Sequence, residues 1–109
     1  MAKPLRWLGG TKIETPPVGE TGRRSLGAAL RVLQEGGHLT MPVSRPMPSI
    51  GLRCHELRVG DDGRQWRLIY RVDADGILVV DLFRKTTPKT PRQAIERCKR
   101  RLRSYDQDR

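Results

Sequence analysis

The sequence lacks the features that mark secreted, membrane-spanning and zinc-binding proteins. Its two cysteines, Cys54 and Cys98, are too few for a disulfide framework or a four-ligand zinc site. No stretch approaches the roughly 20 apolar residues of a membrane-spanning helix. The first residues hold no apolar run long enough for a signal peptide. These absences predict a reduced, soluble, cytoplasmic protein that does not enter a membrane.

Positive charge is the strongest feature that the composition does contain. The 109 residues carry a formal net charge of +10, and their hydrophobic share of 36% suffices for one modest core. We therefore expect a single domain over residues 1–109. A basic protein of this kind favours polyanionic partners, with nucleic acid first and an acidic protein second.

Three strand-like segments between residues 52 and 85 organise the chain. They are rich in Val, Ile, Leu, Trp and Tyr, and turns rich in Asp and Gly separate them at residues 60–63 and 73–76. This spacing predicts a three-strand antiparallel meander, whose third strand is apolar on both faces and therefore central. A further strand within residues 5–14, ended by a proline pair, predicts an antiparallel or mixed sheet of about four strands.

Two helices complete the prediction of an α+β fold. An amphipathic helix is predicted over residues 20–35, where it covers the meander with a stripe of Leu26, Ala29, Leu30 and Leu33. Residues 38–51 contain three prolines and are predicted to form a loop. The last helix is predicted to begin with a capping box, in which Thr90 is the N-cap and Gln93 completes the box.

Strand alternation predicts a charged face on the meander. Residues 55, 57 and 59 share the face that lies under the first helix. The opposite face is predicted to collect Glu56, Arg58, Arg67 and Arg71. His55 is therefore expected to be a hydrogen-bonded residue at the edge of the core rather than an acid–base group. Two distant histidines supply no ligand set, so we expect neither a metal nor another cofactor.

The charged face suits RNA cleavage without a metal. Cations must stabilise the charge that builds at the scissile phosphate when the 2′-hydroxyl attacks, and Arg67 and Arg58 fit that role. Lys85 can bind phosphate or donate a proton to the leaving 5′-oxygen. Glu56 has two readings: it accepts the 2′-hydroxyl proton, or it pairs with Arg67 or Arg58 and orients them. Further RNA contacts are expected from Arg45, Arg71 and Arg84.

The C-terminal helix carries cations whose purpose the sequence leaves open. Its last turns hold Lys99, Arg100, Arg101 and Arg103. Positive charge near this end of a helix complements the helix dipole. The basic face is therefore simply solvated, or it binds phosphates of ribosomal RNA, or it binds an acidic segment of a protein partner.

Several short motifs occur in a characteristic order along the chain. They are residues 44–51 (SRPMPSIG), 54–58 (CHELR), 66–71 (WRLIYR) and 83–86 (FRKT), followed by Thr90-Pro91. With this order of strands and helices, nearly the whole chain resembles the RelE/ParE superfamily of bacterial toxins from type II toxin–antitoxin systems. Residues 3–8 (KPLRWL) and Pro16-Pro17 are similar to the phage-related, HigB-like branch of that superfamily.

The resemblance implies a RelE-like fold and a cytoplasmic toxin that a cognate antitoxin, often of helix-turn-helix type, holds inactive in a hetero-oligomer. Many members cleave mRNA in the ribosomal A site without a metal, so the implied partners are mRNA on the ribosome and rRNA. Arg67 matches the arginine that contacts the scissile phosphate, and Lys85 lies near the basic residue that ends the last strand. Cys54 and Glu56 replace a lysine pair of the RelE-type nucleases, and their tyrosine after the last strand has no counterpart within residues 86–92.

Two other functions stay open beside the mRNA endonuclease that we expect. ParE-like relatives share the fold, lack the nuclease residues and inhibit DNA gyrase. The third reading is a basic module that binds nucleic acid and is not toxic, which would show a steep dependence of binding on salt.

Overall fold

Five strands form one mixed sheet in the computed structural model, which describes residues 2–9 and 17–108. The strands are β1 (Leu5–Trp7), β2 (Ser44–Pro46), β3 (Cys54–Asp61), β4 (Arg64–Asp73) and β5 (Gly76–Lys85). Their order across the sheet is β1-β5-β4-β3-β2. β1 runs parallel to β5, and the other neighbours are antiparallel. The predicted α+β class is confirmed.

The meander from β3 to β5 forms as predicted, and short turns set its register. Asp62 and Gly63 link β3 to β4 with φ angles of 50° and 76°. A two-residue hairpin turn needs this left-handed conformation, and an Asp-Gly pair tolerates it. The turn places Arg58 directly opposite Arg67. The predicted charged face depends on this pairing.

The edges of the sheet differ from the prediction. The predicted loop over residues 38–51 contains β2, which aligns Arg45 with Glu56 on β3. Pro46 conceals this strand in the sequence, yet an edge strand accepts a proline because one side of its backbone has no partner. The sheet therefore has five strands rather than about four. The first predicted strand is observed as β1, and residues 10–14 of that prediction lie outside the described residues.

A helix covers each face of the sheet. The first helix, α1 (Glu20–Gln34), confirms the prediction for residues 20–35 and packs three leucines against one face, Leu26, Leu30 and Leu33. The second helix, α2 (Arg92–Gln107), packs Cys98 and Leu102 against the other face. Neither helix in the described part of the chain has the length and apolar character needed to cross a membrane.

Alternation along the strands supplies both halves of the core. Under α1 the strands contribute Leu57, Leu68 and Val79, and under α2 they contribute Ile69, Leu78 and Val80. Residues 77–80 of β5 are 0% exposed because this strand lies between β1 and β4 with both faces covered. The third meander strand is therefore interior, as its two apolar faces predict, although β4 is the middle strand of the five.

An ion-pair network fastens the end of α2 to the sheet. Arg71 on β4 is 8% exposed and donates from Nε and Nη2 to Asp73 and from Nη1 and Nη2 to Asp106 of α2, at 2.8–2.9 Å. These hydrogen bonds, with that to Asp106 the strongest, raise the pKa of Arg71 well above its usual value. Nearer the start of α2, Arg97 and Arg101 both bind Asp81 of β5.

We expect Arg71→Met to lower the free energy of unfolding by about 3–5 kcal/mol, because it leaves the buried carboxylate of Asp73 without its main partner. Asp106→Asn should cost about 1 kcal/mol or less, since the side chain of Asp106 is 51% exposed. Arg24→Met is the matched control, and its exposed pair with Glu20 contributes less than about 0.5 kcal/mol. Urea denaturation measures all three variants. Equal losses in Arg71→Met and Arg24→Met would show that the network does not stabilise the fold.

Candidate functional site

Strand register brings four charged side chains together on the α2 face of the sheet. Arg58 lies opposite Arg67 across β3 and β4, and Arg45 lies opposite Glu56 across β2 and β3. Residues paired across antiparallel strands point to the same face, and alternation places Glu56 and Arg58 on one face of β3. We call Arg45, Arg58 and Arg67 the arginine cluster.

The carboxylate of Glu56 lies at the centre of the arginine cluster and is 0% exposed. Its Oε1 is 3.3 Å from Arg45 Nη2 and 3.7 Å from the Nε atoms of Arg58 and Arg67. Its Oε2 accepts a hydrogen bond of 2.5 Å from the hydroxyl of Thr90. A buried carboxylate is tolerated only when it is paired and hydrogen-bonded. Because both oxygens already face donors, the contacts favour the orienting role of Glu56 over the role of a base.

The arginine cluster retains unfilled hydrogen-bond donors. The Nε atoms of Arg45, Arg58 and Arg67 are buried and donate to no acceptor among the described residues. The side chains of Arg45 and Arg58 are 36% and 30% exposed, whereas that of Arg67 is 10% exposed. The cluster is thus more open to solvent at Arg45 and Arg58 than at Arg67. Buried donors beside such an opening suit an oxyanion such as phosphate, which guanidinium groups grip with two parallel hydrogen bonds.

Lys85, at the end of β5, adds a fourth cation to the same site. Burial lowers its pKa, the carboxylate of Glu56 opposes this change, and all three guanidinium groups of the arginine cluster lower the pKa further. Burial likewise lowers the pKa of Arg67. The carboxylate of Glu56 raises this pKa, and the guanidinium groups of Arg58 and Arg45 lower it further. Four cations therefore share one carboxylate, so the site carries a surplus of positive charge that an anion can neutralise.

Two of the predicted RNA-binding residues lie away from this site. The guanidinium of Arg71 is already bound to Asp73 and Asp106, so it has a structural contact instead of a free donor face. Arg84 pairs with Trp66, whose ring belongs to the core under α1, and therefore lies on the opposite face of the sheet from Arg67. Arg45, the third predicted RNA-binding residue, does lie in the site.

The remaining candidate groups for acid–base or metal chemistry are placed elsewhere. His55 lies on the α1 face, stacked on Tyr70 at a centroid distance of 5.2 Å, and its Nδ1 has no hydrogen-bond partner among the described residues. Burial raises the pKa of the Cys54 thiol, and it raises that of Cys98 to about 12, so neither sulfur is a ready nucleophile. Within residues 2–9 and 17–108, no three His, Cys, Asp or Glu side chains are grouped as a metal would need.

The sequence pattern predicts the wrong contact for Thr90, which lies in the site. The predicted capping box is wrong, because α2 begins at Arg92 after Pro91 at the N-cap, with no side-chain cap. The Thr90 hydroxyl instead donates to Glu56, and it accepts a long hydrogen bond of 3.5 Å from Arg45. No sequence signal reveals this contact, because Glu56 and Thr90 are 34 residues apart.

A model of the phage-derived Gp49-like protein family (DUF891) matches residues 18–103, which include every residue of this site. No curated protein and no solved structure matches the chain. Since the match covers most of the sequence, the chain belongs to the Gp49-like family of phage-derived, toxin-like proteins, within the group of RelE and other toxin–antitoxin proteins.

Proposed function

We propose that this protein is the toxin of a type II toxin–antitoxin system, close to the HigB-like branch, and that it cleaves mRNA on the ribosome without a metal. The observation that carries the proposal is the arginine cluster: guanidinium groups from three neighbouring strands surround one buried carboxylate and keep unfilled donors. Membership of a toxin-like family supports the same conclusion.

The chemistry needs charge stabilisation more than a strong base. The 2′-hydroxyl oxygen attacks the adjacent phosphorus and releases its proton to solvent water. The bond to the 5′-oxygen breaks, that oxygen takes up a proton, and the products are a 2′,3′-cyclic phosphate and a 5′-hydroxyl. Negative charge grows on the non-bridging oxygens during the attack, and the Nε groups of Arg58 and Arg67 stabilise it. Arg45, at the more exposed end of the site, holds the RNA backbone.

Lys85 is placed to protonate the leaving 5′-oxygen. Its lowered pKa brings the proton affinity of the amine closer to that required of a general acid at neutral pH. Glu56 keeps the guanidinium groups in position and acts through them. Its Oε1 faces the arginine cluster and its Oε2 is bonded to Thr90, so it would have to give up these contacts to accept a proton from RNA.

The proposal extends to partners. A cytoplasmic antitoxin, of helix-turn-helix type, would hold the toxin inactive in a hetero-oligomer. The exposed cations of α2, Arg92, Arg100 and Arg103, would bind phosphates of ribosomal RNA while mRNA occupies the sheet. Arg92 begins α2 two residues after Thr90, which contacts the arginine cluster, and Arg100 and Arg103 lie on later turns of the helix.

Arg67→Ala should lower the rate of mRNA cleavage by at least about 100-fold, because it removes a buried donor from the developing phosphate charge. Arg84→Ala is the matched control, since Arg84 lies on the other face of the same sheet and should leave the rate within about twofold of wild type. The assay is a translation extract with a reporter mRNA, in which primer extension maps breaks to the ribosomal A site. Arg58→Ala, at a more exposed position, tests the same site if Arg67→Ala unfolds.

The outcome that contradicts this function is also specific. Intact mRNA in the extract, together with loss of plasmid supercoiling when the protein is induced in cells, would identify a gyrase inhibitor. Full cleavage by folded Arg67→Ala would remove the arginine cluster from the reaction.

The pH dependence of cleavage tests Lys85. A general acid works only while it is protonated, and a lysine whose pKa is lowered from 10.5 loses its proton at a lower pH than an ordinary lysine. The single-turnover rate should therefore fall as pH rises, starting below the pH at which an ordinary lysine titrates. Lys85→Met should reduce the rate and abolish this decline, whereas Lys89→Met, at an exposed position in the same segment, should preserve both. An unchanged pH profile in Lys85→Met would exclude Lys85 as the acid.

A further inference from the structure

The hydroxyl of Thr90 makes the shortest contact with Glu56 among the described residues. The Thr90 hydrogen bond to Oε2 is 2.5 Å long, whereas the nearest guanidinium nitrogen is 3.3 Å from Oε1. The same oxygen of Thr90 lies 3.5 Å from Arg45 Nη2. Thr90 therefore touches both the carboxylate at the centre of the arginine cluster and one of its guanidinium groups.

This hydrogen bond determines which way the Glu56 carboxylate faces. The two oxygens of a carboxylate rotate together, so a partner that holds Oε2 also fixes Oε1. In the observed orientation Oε1 stays 3.7 Å from the Nε atoms of Arg58 and Arg67, which is too far for a hydrogen bond. The carboxylate thus neutralises part of their charge without occupying their donors.

Without the Thr90 hydroxyl, a short hydrogen bond to a guanidinium group is the obvious replacement. A buried carboxylate oxygen that loses its donor turns to find another, because leaving it unsatisfied is unfavourable. Arg45, Arg58 and Arg67 all keep an unfilled Nε donor, and the Nε atoms of Arg58 and Arg67 already lie 3.7 Å from Oε1. Their Nε atoms would then bind Glu56 and would no longer be available to an anion.

We propose that Thr90 is a positioning residue, which keeps the Nε donors of Arg58 and Arg67 free for the phosphate of the substrate by holding Glu56 back. Its catalytic consequence rests on the proposed function, but its effect on anion binding does not. The start of α2 agrees with this assignment: Thr90 precedes the N-cap residue Pro91, the helix has no side-chain cap, and the Thr90 hydroxyl donates to Glu56.

Three substitutions test the role of the hydroxyl. Thr90→Val removes it and keeps the shape of the side chain, and the expected result is a fall in kcat for mRNA cleavage of about 10- to 100-fold with KM nearly unchanged. Thr90→Ser restores the hydroxyl and should restore most of the rate. Thr87→Val is the matched control, because the Thr87 hydroxyl lies in the same segment but donates to the carbonyl of Lys89. If Thr90→Val unfolds, Thr90→Ala replaces it.

Two results in these rates would overturn the proposal. One is wild-type kcat in a folded Thr90→Val protein. The other is a folded Thr90→Ser protein as slow as Thr90→Val, since the hydroxyl would then not be the active group.

A double-mutant cycle separates positioning from simple stabilisation. Glu56→Gln keeps the size of the side chain and removes its charge. If Thr90 acts through Glu56, adding Thr90→Val to Glu56→Gln should change kcat by less than about twofold, far less than Thr90→Val does alone. Multiplicative effects of the two substitutions would contradict the proposal.

Anion binding gives a readout that does not depend on cleavage. Titration with inorganic phosphate, followed by the Nε–H resonances of labelled arginines, should show weaker binding in Thr90→Val and shifted resonances before phosphate is added. Thr87→Val should match wild type in both. Phosphate binding and arginine resonances that are unchanged in Thr90→Val would overturn the role of Thr90. If wild-type protein binds phosphate through these arginines but cuts no mRNA, the proposed function fails while the Thr90 assignment is still decided by the titration.

Discussion

The carboxylate of Glu56 lies fully buried between guanidinium groups that repel one another. Neither side of this arrangement is stable alone. A bare carboxylate in a sheet between two helical layers would be poorly solvated, and three neighbouring arginines without it would push apart. Breaking such a pair costs about 3–5 kcal/mol, a large part of the total stability of about 5–15 kcal/mol expected of a small domain. The site and the fold therefore depend on the same contact.

The arginines that face buried carboxylates on the α2 side of the sheet are of two kinds, which residue type alone does not distinguish. Arg71, Arg97 and Arg101 bind carboxylates at hydrogen-bonding distance and hold α2 against the sheet. Arg58 and Arg67 stand farther from their carboxylate and keep buried donors unfilled. A guanidinium whose donors are all occupied stabilises structure, and one whose charge is only partly compensated can still bind a ligand.

The sequence predicts the parts of the site that depend on local periodicity. Two-residue alternation correctly places Glu56, Arg58 and Arg67 on one face, because every second side chain of a strand shares a face. The same alternation explains why the prediction for Arg84 differs from the structure. Arg84 is next to Lys85 in the chain, and its side chain therefore lies on the opposite face of the sheet. Strand β2 escapes prediction because it is short and contains a proline.

Long-range contacts are beyond any local pattern. The partners of Arg71 include Asp106, 35 residues away, and only the packing of α2 brings them together. The contact of Thr90 is equally hard to predict from the sequence. Thr-Pro before a helix is a typical capping sequence, whichever group its hydroxyl contacts in the folded protein. A capping hydroxyl accepts from a backbone N–H, whereas the Thr90 hydroxyl donates to the buried carboxylate of Glu56, so its contact follows from tertiary packing.

The length of the tight turn at Asp62 and Gly63 determines whether the binding site forms. The turn sets β4 against β3 so that residue 58 faces residue 67. One inserted or deleted residue that slid this pairing by a single place would carry Arg67 through the sheet to the side of α1, and would bring core side chains to the surface that now holds the cations. A substitution in the hairpin loop keeps the register of β3 and β4. A change in the number of loop residues can shift that register and move the side chains of a strand to the opposite face of the sheet.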